Sequence, residues 1–91
     1  MSIRFSLPTV LARLADGQTT LTAAGTTIGQ AVSDVAGRFP RLAPRLRDEQ
    51  GNAYPFVTFY LNDEDIRFRG GFATPVQDGD EVTIVAAIAG G

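Results

Sequence analysis

The apolar positions of this 91-residue chain follow two periods. In the opening "SIRFSL", Ile3, Phe5 and Leu7 alternate with Ser2, Arg4 and Ser6. That period of two belongs to a half-buried strand, and Pro8 stops it. Residues 9–14 carry Val10, Leu11 and Leu14 and predict a short helical turn, followed by a turn at Asp16-Gly17. "QTTLTAA", rich in β-branched Thr, predicts a second strand, so the N-terminal part reads as a hairpin with a long connection. Gly25 breaks that strand, and Thr26 or Thr27 stands where a helix N-cap is needed. The period then lengthens: Ile28, Ala31, Val32, Val35, Ala36 and Phe39 recur at helical spacing, a stripe that must face a core. Pro40 ends the helix.

Beyond it, residues 38–47 are predicted as a loop with one further helical turn interrupted by Pro44, leading to a turn at "DEQGN". "FVTFYL" is aromatic, β-branched and apolar on both faces, the mark of an interior strand. Ile66 and Phe68 predict a short strand before Gly70-Gly71, Asp78-Gly79 a turn, and residues 82–86 the last strand. The order strand, strand, helix, strand, short strand, strand is an α+β design: one helix on one face of a mixed sheet. This arrangement resembles the β-grasp, or ubiquitin-like, architecture. We expect one domain over residues 1–86 and a flexible Gly-Gly tail over 87–91, with Ile28, Val32 and Val35 packed against Phe5 and Ile84.

Composition narrows the chemistry. A hydrophobic fraction of 44% fits a folded domain. No apolar run approaches the roughly 20 residues that span a bilayer, and the N-terminus lacks a secretory pattern, so the expected location is the cytoplasm, with no membrane partner. The net charge of −2 argues against nucleic acid as a partner. The chain has no Cys, His, Lys or Trp. Triads built on His, Cys-His pairs, thiolate metal sites and lysine Schiff bases are therefore excluded. We expect no bound cofactor or metal, and a protein that is acted upon rather than an enzyme.

Attention passes to the last residues, Ala87, Ile88, Ala89, Gly90 and Gly91. The α-carboxylate of Gly91, with an ordinary pKa of roughly 3.3–3.7, is ionised and unreactive until activated, for example as an acyl-adenylate. Two glycines without Cβ let the bare backbone enter a narrow channel. An extended stretch over residues 88–91 reaches about 13 Å at about 3.3 Å per residue. Other clusters have plainer readings. "NDED" reads as a polar turn, since Phe68 stands where a calcium loop needs its glycine, and "DGD" at residues 78–80 reads as turn chemistry. The arginines at 38, 41, 45 and 47 read as a solvated face or a docking patch for an acidic partner. If Val57, Phe59 and Leu61 face the helix, then Phe56, Thr58 and Tyr60 face away, and Tyr60, with Phe72 beside it, becomes a candidate partner-binding surface.

The stretch from Leu61 through "NDEDIRF", Gly70-Gly71, Ala73-Thr74 and "DGDEVTI" to the final "AGG", together with the opening "IRFSLPTVL", is similar to the MoaD/ThiS family of ubiquitin-like sulfur carriers. The likeness covers nearly the whole chain and is nearest to the CysO-type carriers of cysteine biosynthesis; Leu61 departs from the usual Val. The resemblance implies that an E1-like adenylating enzyme uses ATP to activate Gly91, which becomes a thiocarboxylate. It implies sulfur donation to an activated serine derivative on a PLP-dependent cysteine synthase-like enzyme, and release of the new amino acid by a metal-dependent peptidase. Within the family, the small subunit of molybdopterin synthase and carriers for thiamin or tRNA thiolation share the same tail. A ubiquitin-like protein modifier, or a plain β-grasp binding domain, remains open as another class.

Overall fold

The computed structural model describes residues 2–86; the expected tail, residues 87–91, lies outside them. Five strands form one mixed sheet: β1 (Ile3–Ser6), β2 (Thr20–Ala23), β3 (Val57–Leu61), β4 (Glu64–Asp65) and β5 (Glu81–Ala86). The order across the sheet is β2-β1-β5-β3-β4. β1 pairs with β5 in parallel, placing Phe5 beside Val82, whereas β1–β2, β3–β5 and β3–β4 are antiparallel. A short helix, α1 (Thr9–Ala12), follows β1, and the main helix, α2 (Ile28–Arg38), crosses between β2 and β3.

Side-chain alternation decides the layers. On β1, β3 and β5 the residues Ile3, Phe5, Val57, Phe59, Leu61, Val82 and Ile84 point inward and are buried. α2 covers them with Ile28, Ala31, Val32 and Val35, all fully buried in the same cluster. The packing of Ile28, Val32 and Val35 over Phe5 and Ile84 follows the expectation from periodicity. Leu42 and Leu46, in the segment read as a loop, are also fully buried and close one end of the core. The further helical turn in that segment is a 3-10 turn at Ala43–Arg45.

Of the two candidate caps, Thr27 is the one used: its hydroxyl accepts the Gln30 N–H at 3.1 Å. Gln30 reaches back in turn, its Oε1 accepting both the N–H and the hydroxyl of Thr26 at 2.7 and 2.8 Å. This is a capping box displaced by one residue. One turn of α2 bears Gly29, where an added Cβ would lie 3.1 Å from the Phe72 carbonyl oxygen. A glycine there lets the Gly71–Ala73 turn sit against the helix.

One expected strand is absent. Ile66 and Phe68 lie in a 3-10 turn, Ile66–Phe68, and the strand is instead the two-residue β4. Asn62 and Asp63 adopt positive φ values of 50° and 74°, the two-residue loop that joins β3 to β4. The Asp65 carboxylate then captures the Arg67 N–H at 2.9 Å. That local bond competes with the ladder and turns the chain into the 3-10 geometry. Ile66 is consequently buried while Phe68 stands 84% exposed.

Candidate functional site

Parallel pairing of β1 with β5 and antiparallel pairing of β3 with β5 have a geometric consequence. The segment after β1, the segment before β3 and the end of β5 all meet at one edge of the molecule. Val57 pairs with Ala86 there, α1 supplies Val10 and Leu11, and the 3-10 turn after it, Arg13–Ala15, supplies Leu14. The result is a groove of about 510 Å³ with Ala86 in its wall. Phe56 and Val10 are about half exposed in it, and the Phe56 ring meets Tyr54 edge to face at 5.5 Å. β5 ends at this place, with Ala86.

Three arginines, Arg13, Arg41 and Arg45, line the same groove. None of them pairs with a carboxylate among the described residues. The arginine cluster read as one face from the sequence is therefore divided. Arg38 turns to the edge of the sheet, donating to the Thr22 carbonyl and pairing with Asp34 at 3.3 Å. Arg47 donates to the Ser33 hydroxyl at 2.8 Å. Arg41 and Arg45 join Arg13 beside the end of β5. Sequence reasoning missed Arg13, Val10 and Leu14 as site residues. Parallel pairing of β1 and β5 is the signal that brings them in, and it cannot be read from spacing along the chain.

The outer face of the sheet carries Arg4, Thr22, Thr58, Tyr60, Thr83 and Val85, and no helix among the described residues covers it. Tyr60 is half-buried on β3, opposite Thr83 and Asp65. Phe72 does not join it. Its ring packs edge to face on Phe59 at 5.3 Å, and Phe59 is buried on the helix side. The aromatic pair expected to form one surface thus sits on opposite sides of the sheet, because residues 59 and 60 alternate.

The acidic turns serve the fold. Asp78 Oδ1 accepts the Ser2 N–H at 2.7 Å, and Asp80 Oδ2 accepts the Gln77 N–H at 2.8 Å. Asn62 bridges the two turns: its side-chain N–H donates to Asp80 at 3.1 Å, and its oxygen accepts the Glu81 N–H at 3.0 Å. Among the described residues no group of three carboxylates is placed to hold a metal ion. Asp65 grips the Arg67 guanidinium at 2.6 Å. That hydrogen bond, helped by the Arg67 N–H, holds the Asp65 carboxyl below its usual value.

A mixed five-stranded sheet packed on one main helix, with the last strand ending beside an open groove, defines a β-grasp protein of the ubiquitin-like class. The ThiS family model matches residues 6–91, and the chain belongs to that family. It is similar to the sulfur carrier protein CysO of Mycobacterium tuberculosis, at 43% identity over 93 aligned positions covering all of both chains. A putative sulfur carrier protein of Archaeoglobus fulgidus is 29% identical over the full length of both. Among solved structures, CysO of M. tuberculosis superposes with a TM-score of 0.86 at 41% identity, over 94% of this chain and 99% of that one. The Amycolatopsis orientalis BexX/CysO complex contains a chain with a TM-score of 0.89 at 38% identity, covering 98% and 99%. No helix among the described residues is long and apolar enough to cross a membrane.

Proposed function

We propose that this protein is a sulfur carrier of cysteine biosynthesis whose reactive group is the carboxylate of Gly91. The observation that carries the reading is end-to-end similarity to a sulfur carrier protein, 43% identity over the whole of both chains. The composition is compatible with it, since the chain has no Cys, His or Lys for a nucleophile–base pair or a thiolate metal site. A carrier needs neither. It needs a stable body and a chain end that a partner can grip.

The chemistry follows from the carboxylate. Its oxygen attacks the α-phosphorus of ATP on an E1-like adenylating enzyme, forming an acyl-adenylate and expelling pyrophosphate. A sulfide donor then attacks the acyl carbon, AMP leaves, and a thiocarboxylate remains. Its sulfur is nucleophilic at neutral pH and forms a C–S bond to the β-carbon of an activated serine derivative held by a PLP-dependent synthase, the activating phosphate or acetate departing as the leaving group. A shift of the acyl group from sulfur to the amino nitrogen leaves cysteine attached to Gly91 through an amide, which a metal-dependent peptidase hydrolyses. Residues 87–91 act as the arm in every step, and residues 1–86 as the body that partners recognise.

Intact-mass measurement tests this. Incubated with an E1-like adenylating enzyme, ATP and sulfide, the full chain gains the mass difference between sulfur and oxygen, and a chain lacking Gly91 does not. Absence of that gain in the full chain, or its persistence after the deletion, overturns the reading. Delivery to cysteine rather than to another acceptor is read by mass as a cysteinyl adduct when the thiocarboxylate meets a PLP-dependent synthase and O-phosphoserine or O-acetylserine.

A further inference from the structure

We infer that the groove at the end of β5 is a docking site for an acidic protein surface that carries an apolar side chain, presented by the enzyme that activates Gly91. The inference rests on the carrier reading above and adds a place and a chemistry of recognition to it.

Its starting point is an imbalance of charge. The chain carries 10 acidic side chains against 8 arginines, yet Arg13, Arg41 and Arg45 have no carboxylate partner among the described residues. They come from two distant parts of the chain and stand on the rim of one groove. Bringing like charges together costs energy, and no contact within the described molecule offsets it. The fold has carboxylates to spare and uses them elsewhere: Asp34, Asp65 and Glu64 hold Arg38, Arg67 and Arg69. Arginine also suits this position, because its planar fork pairs with carboxylates in two parallel bonds and is weakly hydrated.

The floor of the groove adds a second property. Val10 and Phe56 are 44% and 54% exposed, and both line it. An apolar centre with a charged rim is the anatomy of a protein interface, where a central side chain is desolvated and the surrounding charges set orientation. Position supplies the rest. Ala86, the last residue of β5, is part of the wall, so an enzyme that takes up residues 87–91 covers this groove as it does so. Nucleic acid is the less favoured occupant, since a net charge of −2 gives no long-range attraction for phosphates.

The test compares three forms of the full chain: wild type, the triple reversal R13E/R41E/R45E, and the charge-preserving triple R13K/R41K/R45K. Each is titrated as substrate for an E1-like adenylating enzyme from the same genome with ATP and sodium sulfide, with thiocarboxylate read by intact mass. We expect the reversal to raise KM by about tenfold or more at low salt with kcat changed less than about twofold, the mark of lost docking with intact chemistry. The lysine triple stays within a few-fold of wild type, and added salt raises the wild-type KM toward that of the reversal. Thermal melts confirm that all three fold. Wild-type KM in the reversal overturns the groove's role while leaving the carrier reading intact. No conversion of wild type overturns both. Two further results overturn the assignment to an acidic enzyme surface. One is tighter binding of a polythymidine oligonucleotide than of the enzyme, lost in the reversal. The other is a concentration-dependent dimer of the wild type that the reversal abolishes.

Discussion

The inner face of β5 and the end of β5 are parts of one six-residue strand, and they do opposite work. Val82 and Ile84 are sealed under α2, beside Phe5 and Phe59, with 0% and 2% exposure. Two residues further on, Ala86 borders an open groove whose walls are half exposed and whose rim is cationic. In the core every side chain is answered by a neighbour of the same chain. At the groove three guanidiniums are answered by none of the described residues. The difference teaches where to look for function in a protein that lacks His, Cys and Lys: at surfaces whose charges the fold leaves unused, beside the place where the chain leaves the sheet.

That contrast predicts that stability and carrier activity separate by mutation. The largest effect is on activity: deletion of Gly91 abolishes thiocarboxylate formation in the mass assay and leaves the thermal melt unchanged. A parallel loss of stability would mean that the two regions are not independent. The reciprocal change is Ile84→Ala, which opens a cavity under α2 and costs about 2–5 kcal/mol. For a domain of this size total stability is about 5–15 kcal/mol, so urea denaturation shows a lower midpoint. Below that midpoint the folded fraction still accepts sulfur.

A smaller effect sharpens the boundary between the two regions. Thr74 is the only buried polar residue among those described, and its hydroxyl has no partner there. Thr74→Val keeps the shape and removes an unsatisfied group, so it is neutral or stabilising by on the order of 1 kcal/mol. A clear loss in urea denaturation would show that the hydroxyl is satisfied after all.

The smallest effect lies at the other side of the sheet, at Asp65. Its folded-state value is depressed from 3.8, first by the Arg67 side-chain hydrogen bond and then by the Arg67 N–H. The sign follows: the contribution is present above the unfolded value and fades as pH falls through the folded one. Asp65→Asn is therefore less stable than wild type at neutral pH, and the gap closes as acid titration passes below about 3.8. A gap that persists unchanged in acid would mean that the carboxylate charge contributes nothing.

The local code of the chain was readable in advance. Alternation at residues 3, 5 and 7 places β1, the helical stripe from Ile28 to Phe39 places the buried face of α2, and Thr26 or Thr27 offers its cap, of which the fold uses Thr27, because each signal depends on near neighbours in sequence. Ile66 and Phe68 misled, since their alternation is also compatible with a 3-10 turn, and one side chain, Asp65, decided between the two. Phe72 misled for another reason: whether a loop aromatic joins the outer face or the core depends on where the loop lands. It lands on Phe59 through the space left by Gly29.

By itself, then, the sequence determined β1, β2, β3, β5 and α2, though not β4 or the 3-10 turn at Ile66–Phe68, together with the β-grasp order, the buried face of α2 and the family to which the chain belongs. The residue types it lacks also excluded His triads, Cys-His pairs and lysine Schiff bases. Only the tertiary structure decided which arginines are spent on the fold and which are left on the groove. Charge pairing is a matter of distance in space. Arg13 lies far from Arg41 and Arg45 along the chain, and parallel pairing of β1 with β5 together with antiparallel pairing of β3 with β5 brings their segments to the same groove.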